Sequence, residues 1–382
     1  MSDELRFVSL LVLVVFSLIR CSVEESLESI ISTSYSSPFS LEGSRTNRGT
    51  SSHDKGSSHL GIHESQVGSE YLFQASLVTQ PVVSQFTGMK SRIVTFEVSG
   101  SDLLMLESGQ GHSVDPNAPK NLLLAKFPIV NRANGYIYID FNVGMNKIFV
   151  ARDWYARDLS GDRYSGNSWH AVDMEVSYVR EAKVSKDNQF SIKQVAQIAS
   201  YDGSVRRQTP VEVVYYISPY KSNENFQPTV SPSFRKVGFF EVAPQLDDKT
   251  GESVVFASKF STVKPIVYAI SSNTPEPYRQ AIRDGVLYWN KVFGRDVIEV
   301  IDAPEGVTAP SNEYNVIQWV DWKKAGFAYA DAQMDPRTGE ILHAQIFLTS
   351  AFAFSSIKSA RSFLRKLHIE KLRIISFVDI RI

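Results

Sequence analysis

The chain has 382 residues, 43% of them hydrophobic and 21% charged, with a net charge of −1. That balance excludes a nucleic-acid binder working through a basic surface, and the length allows two domains with a large core. Aromatic residues make up 12% and favour a β-rich body.

The first element is an apolar run of 13 residues, Phe7 to Ile19, broken only by serines. It is long enough for the core of a signal peptide and too short to span a bilayer. Cys21, the one cysteine of the chain, follows it after Arg20. Residues 1–21 are therefore read as an export leader. The cysteine stands where bacterial lipoproteins carry their lipidated residue, so attachment to a membrane through Cys21 is one expectation. The protein is expected in the periplasm, on the outer membrane or outside the cell.

Residues 22–70 are dominated by Ser, Gly, Thr and charged side chains. Such a stretch has little apolar surface to offset its ordering entropy, and it is expected to be a disordered tether with solvated His53, His59 and His63.

From Tyr71 the pattern changes. "SRIVTFEVSG", "GYIYIDFNV" and "EVVYYISPY" are short runs of β-branched and aromatic residues separated by Gly, Asn, Asp and Pro. They predict one antiparallel β domain over 71–260, a sandwich or a curled sheet.

A second unit is predicted over 261–350. "VKPIVYAIS" reads as a strand. Thr274 and Pro275 then open a helix in which Tyr278, Ile282, Val286 and Trp289 or Val292 recur on one face, and Gly294 ends it. Trp289 is expected to anchor that helix on the sheet. Four further strands follow in "DVIEVIDAP", "EYNVIQWVDW", "GFAYADAQ" and "EILHAQIFLTS". Pro336 and Gly339 shape the turn in "DPRTGE" before the last of them. One long crossover helix among several strands predicts a partly parallel sheet, and the fold class expected for the whole chain is α+β.

No Walker loop, dinucleotide glycine pattern or Gly-x-Ser-x-Gly elbow occurs. His-Glu-x-x-His, which sets two zinc ligands one helical turn apart around a general base, is also missing. The His63-Glu64 pair has Val67 in place of the second histidine, and His343 is read as a packed strand histidine.

The stretches "PEPYRQAIRDGVLYWNKVFG", "YNVIQWV" and "AYADAQMDPRTGEILHAQIFLTS" resemble the catalytic domain of bacterial zinc-dependent metallopeptidases of the metzincin clan, the EcxA-like group. The β-rich region before them resembles the amino-terminal domain of that group. The resemblance implies a peptide or protein substrate laid along an antiparallel edge strand, with Phe327, Ala328, Tyr329, Ala330, Asp331 and Ala332 as substrate-binding positions. It implies zinc in the family, on a helix that follows Ser350. Residues 351–382 do not match that helix, so no catalytic residue and no metal ligand is assigned, and no zinc is expected in this chain. A frameshift or premature stop would produce such a tail. Phe352, Ile357, Ala360, Phe363, Leu364 and Leu367 recur in it at helical intervals and predict a substitute helix. The expectation is a metallopeptidase-like protein inactive on its own. The alternative is a non-catalytic, surface-tethered β-rich binding protein.

Overall fold

In a β-strand with one face in water, burial alternates. Six consecutive residues, Tyr71 to Ser76, are instead buried, so this strand is covered on both faces. The computed structural model describes residues 37–42, 59–78, 91–108, 121–149, 171–185, 188–202, 205–231, 240–242, 245–246, 250–321 and 328–351. It shows what covers each face.

The first eight strands are β1 (Phe39–Glu42), β2 (His59–His63), β3 (Glu70–Leu77), β4 (Arg92–Ser99), β5 (Asp102–Glu107), β6 (Leu122–Ala133), β7 (Tyr136–Ile139) and β8 (Lys147–Phe149). Three long strands follow, β9 (Ala171–Val184), β10 (Phe190–Asp202) and β11 (Val205–Pro219), and a single-turn helix α1 (Phe141–Gly144) precedes β8. They form one antiparallel sheet of 11 strands in the order β1-β2-β7-β6-β5-β4-β3-β11-β10-β9-β8. The sheet curls on itself. Phe39 of β1 meets Phe190 of β10, eight places away in that order, with ring centroids 6.0 Å apart. The enclosed core contains Tyr71, Phe73, Phe96, Phe127 and Tyr215. This matches the curled-sheet expectation and makes the described chain mostly β.

The tether predicted over 22–70 is corrected at two points. β1 and β2 lie inside it, pair with each other and place Phe39, Leu60 and Ile62 in the core. Two apolar side chains suffice for β2 because it adds to an existing strand, β7. Gly61 lets the Tyr138 ring approach, since a Cβ there would lie 2.7 Å from the ring. His63 is not merely solvated. It accepts from the Ser65 amide and packs edge-on against Tyr136. Residues 22–36 and 43–58 of the tether, the leader, Cys21 and His53 lie outside the described residues. Among the described residues no helix is long and apolar enough to cross a membrane.

Four two-residue strands lead onward: β12 (Thr229–Val230), β13 (Gln245–Leu246), β14 (Ser253–Val254) and β15 (Phe256–Ala257). The second sheet then collects β16 (Lys259–Phe260), β17 (Ile266–Ile270), β18 (Ile298–Asp302), β19 (Asn315–Val320), β20 (Tyr329–Met334) and β21 (Glu340–Thr349). Helix α2 (Glu276–Phe293) crosses from β17 to β18. β18, β17, β19 and β21 are parallel neighbours in that order, and β20 is antiparallel on β21.

All five strands and the helix predicted here are present, with two local differences. Thr274 bonds to Ser271, and α2 has no side-chain cap at its start. Trp289 is no anchor, with 56% of it exposed, and Val292 is 62% exposed; Ile282 and Val286 make the contact with the sheet. The second sheet, in turn, covers the outer face of β3. Ser76 on that face hydrogen-bonds Asp331 of β20, and Tyr216 of β11 donates to the Pro310 carbonyl.

Candidate edge-strand site

β20 and β21 form a hairpin whose turn is "DPRTG". Asp335 accepts from the Arg337 amide, and Gly339 takes φ 78°. A Cβ on Gly339 would meet the Ala257 carbonyl at 2.7 Å, so this position needs glycine for both conformation and space. The turn is pinned to the β domain. Arg337 grips both carboxylate oxygens of Glu70 at 2.6 and 2.7 Å and lies 4.9 Å from the centre of the Tyr220 ring. Tyr220 in turn donates to Asp335. Asn223 donates to Glu340 at 2.7 Å.

Along the hairpin the two sheets meet through a buried polar layer. The Ser76 hydroxyl donates to Asp331 Oδ2 at 3.0 Å and lies 3.4 Å from Gln333 Nε2. Burial pushes the Asp331 carboxyl up to about 6, against the opposing hydrogen bonds from Ser76 and the Ala332 amide. His343 stands opposite Gln333 on β21, and burial pulls its imidazole down to about 4. Gln74 Nε2 and Gln333 Oε1 are buried here without hydrogen-bond partners among the described residues. The only hint of this layer in the sequence was the placement of Gln74 and Ser76 within the otherwise apolar "YLFQASL".

The six predicted substrate positions divide. Phe327 lies outside the described residues. Tyr329 begins β20. Ala328 and Ala330 are exposed and Ala332 is half-buried. Asp331 turns away, with its side chain buried against Ser76, so it offers a partner its backbone and not its carboxylate.

The backbone orientation follows from two contacts. The Met334 amide donates to Ser91 Oγ, and the Ala344 amide opposite Ala332 turns to Asn315 Oδ1 on the β19 side of β21, so Met334 and Ala332 point their amides away from β21. Backbone groups alternate between the two edges of a strand, which puts the Ala330 amide on the same outer edge. That edge carries no strand among the described residues.

A depression of about 340 Å³ lies between residues 306–313 and the outer face of β9–β11. Its cations are already engaged, since Lys183 and Lys193 both pair with Glu181.

Zinc requires about four donors around one point. Asp331 and His343 share a face of the hairpin, but no group of three His, Cys, Asp or Glu side chains comes together among the described residues. The chain matches no family model, no curated protein and no solved structure.

Proposed function

We propose that this chain is an exported, metzincin-like peptide-binding protein that receives an extended peptide along the outer edge of β20. The observation that carries the proposal is that edge itself, an antiparallel strand on an otherwise parallel sheet, whose outer edge pairs with no strand among the described residues and on which Ala328 and Ala330 are exposed. Strand addition supplies affinity through main-chain hydrogen bonds, and small side chains let a second backbone approach. The order of strand, crossover helix, three strands, hairpin turn and final strand supports the family likeness, as does the antiparallel edge that the likeness implies. The polar layer beneath β20 supports the binding role, because it fixes the strand from behind and leaves the free edge preorganised.

Hydrolysis is not part of the proposal. Water activation in that family requires His-Glu-x-x-His, and the sequence does not contain it. Export through the leader, with attachment at Cys21, completes the reading.

Binding of fluorescein-labelled β-casein, an unfolded protein, tests it by fluorescence anisotropy. Ala330→Pro removes the outward amide and leaves the ladder to β21 intact. Saturable binding, weakened at least tenfold by Ala330→Pro, is the expected result. Equal binding by the two proteins, or no binding by the parent, would overturn it.

A further inference from the structure

Besides the two-residue β16, the mixed sheet has two strands that pair on one edge only among the described residues, β20 and β18. β18 lies parallel to β17. The Ile266 amide donates to the Val297 carbonyl, and the Ala303 amide donates to the Ile270 carbonyl. Backbone groups alternate between the two edges of a strand, so Ile298, Val300 and Asp302 turn their amides and carbonyls outward. A bare row of such groups is a template for another strand.

On β18 side chains of α2 occupy that row. Asn290 Oδ1 accepts from the Ile298 amide at 2.8 Å, and Asn290 Nδ2 donates to the Ile298 carbonyl at 2.9 Å. These are the two bonds that a residue of a neighbouring antiparallel strand would exchange with Ile298. A carboxamide can make both because it carries a peptide group's donor and acceptor. The same Oδ1 also accepts from the Val297 amide at 2.9 Å. Two turns earlier, Arg283 Nη1 donates to the Val300 carbonyl at 2.6 Å. Arg279 and Arg283 then hold the Asp302 carboxylate at 2.5 and 3.2 Å. Arg279, Arg283 and Asn290 stand at i, i+4 and i+11, which is one stripe of a helix with 3.6 residues per turn. Ile282 and Val286 beside that stripe seat the helix on the sheet.

We propose that Asn290 and Arg283 act as a surrogate strand that closes the β18 edge to strand addition, and so direct an extended peptide to β20. An incoming strand would have to break the bonds to the Ile298 amide, the Ile298 carbonyl and the Val300 carbonyl before forming its own. The outer edge of β20 pairs with no strand among the described residues, and Ala330 on it is exposed. The two side chains thus set which edge of the sheet a peptide can use. The direction to β20 rests on the reading of β20 as the peptide edge, whereas the closure of β18 does not.

The test uses the full chain carrying Ala330→Pro, which closes β20, with and without Arg283→Ala and Asn290→Ala, which open β18. If the alanine pair fails to fold, Arg283→Ala with Asn290→Asp takes its place. Aspartate keeps the acceptor for the Val297 and Ile298 amides and removes only the donor. Fluorescein-labelled β-casein is the probe, read by anisotropy, and amide hydrogen exchange locates it. The opened chain is expected to bind at least tenfold more tightly than the chain with Ala330→Pro alone, and casein is expected to protect its Val300 amide. No gain in binding, or a gain without protection at Val300, would overturn the closure of β18. A parent that binds no casein, beside an opened chain that does, would uphold that closure and overturn the role of β20.

Discussion

Asp331 shows how one buried carboxyl ties stability to pH. Its folded carboxyl titrates near 6, well above its ordinary 3.8, so the folded state holds the proton more tightly than the unfolded chain. Stability is therefore full below about pH 4 and falls as pH rises through 6, by about 3 kcal/mol for this group alone. His343 has the opposite sign. Its folded pKa is depressed to about 4, and the stability it contributes above its ordinary 6.5 is lost as pH falls toward 4. The two trends oppose each other between pH 4 and 6. Asp331→Asn keeps an acceptor for Ser76 and removes the charge. Urea denaturation should find it about 2–3 kcal/mol more stable than the parent at pH 7 and equal to it at pH 4. Equal stability at both values would mean that Asp331 is not desolvated. Trp289 is a simpler case. With 56% of it exposed, Trp289→Ala should change stability by no more than about 0.5 kcal/mol. A loss of several kcal/mol would place the ring in the core after all.

At the scale of elements, the hairpin turn joins the two sheets. Glu70 and Arg337 pair with side chains only 24% and 16% exposed, deep enough that losing one partner weakens the neutralisation of a part-buried charge, although Ser108 still donates to Glu70. Arg337→Ala should cost about 2–3 kcal/mol, and Arg337→Lys should restore little, because an ammonium cannot match the fork that holds both oxygens. A full rescue by lysine would reduce the pair to a screened surface contact. The turn was legible in the sequence because Pro336 and Gly339 each have one conformational use there. Its partner was not. Glu70 lies 267 residues earlier in the chain, and no local pattern joins the two. For the same reason β1 and β2 were read as tether. "FSLE" and "HLGIH" are too short to signal strands, and they become strands because β7 offers an edge. The helix was legible in its limits and in Ile282 and Val286. Trp289 misled because a helical period names a face without saying how wide the contact is.

For the whole molecule, the sequence separated a β-rich part from a mixed one but missed how they join. Polar residues at alternate strand positions ordinarily face water, and Gln74, Ser76, Asp331 and Gln333 fit that pattern. They are buried because two sheets meet there, a fact of tertiary packing. That joint turns β20 into a strand braced on one face and on one edge, with no strand paired to its other edge among the described residues. The central claim is that this free edge accepts a peptide. Amide hydrogen exchange with and without saturating β-casein tests it most directly. Added protection of the Ala330 amide is predicted, with the amides that already face β21 unchanged. Protection elsewhere with Ala330 unaffected would contradict it.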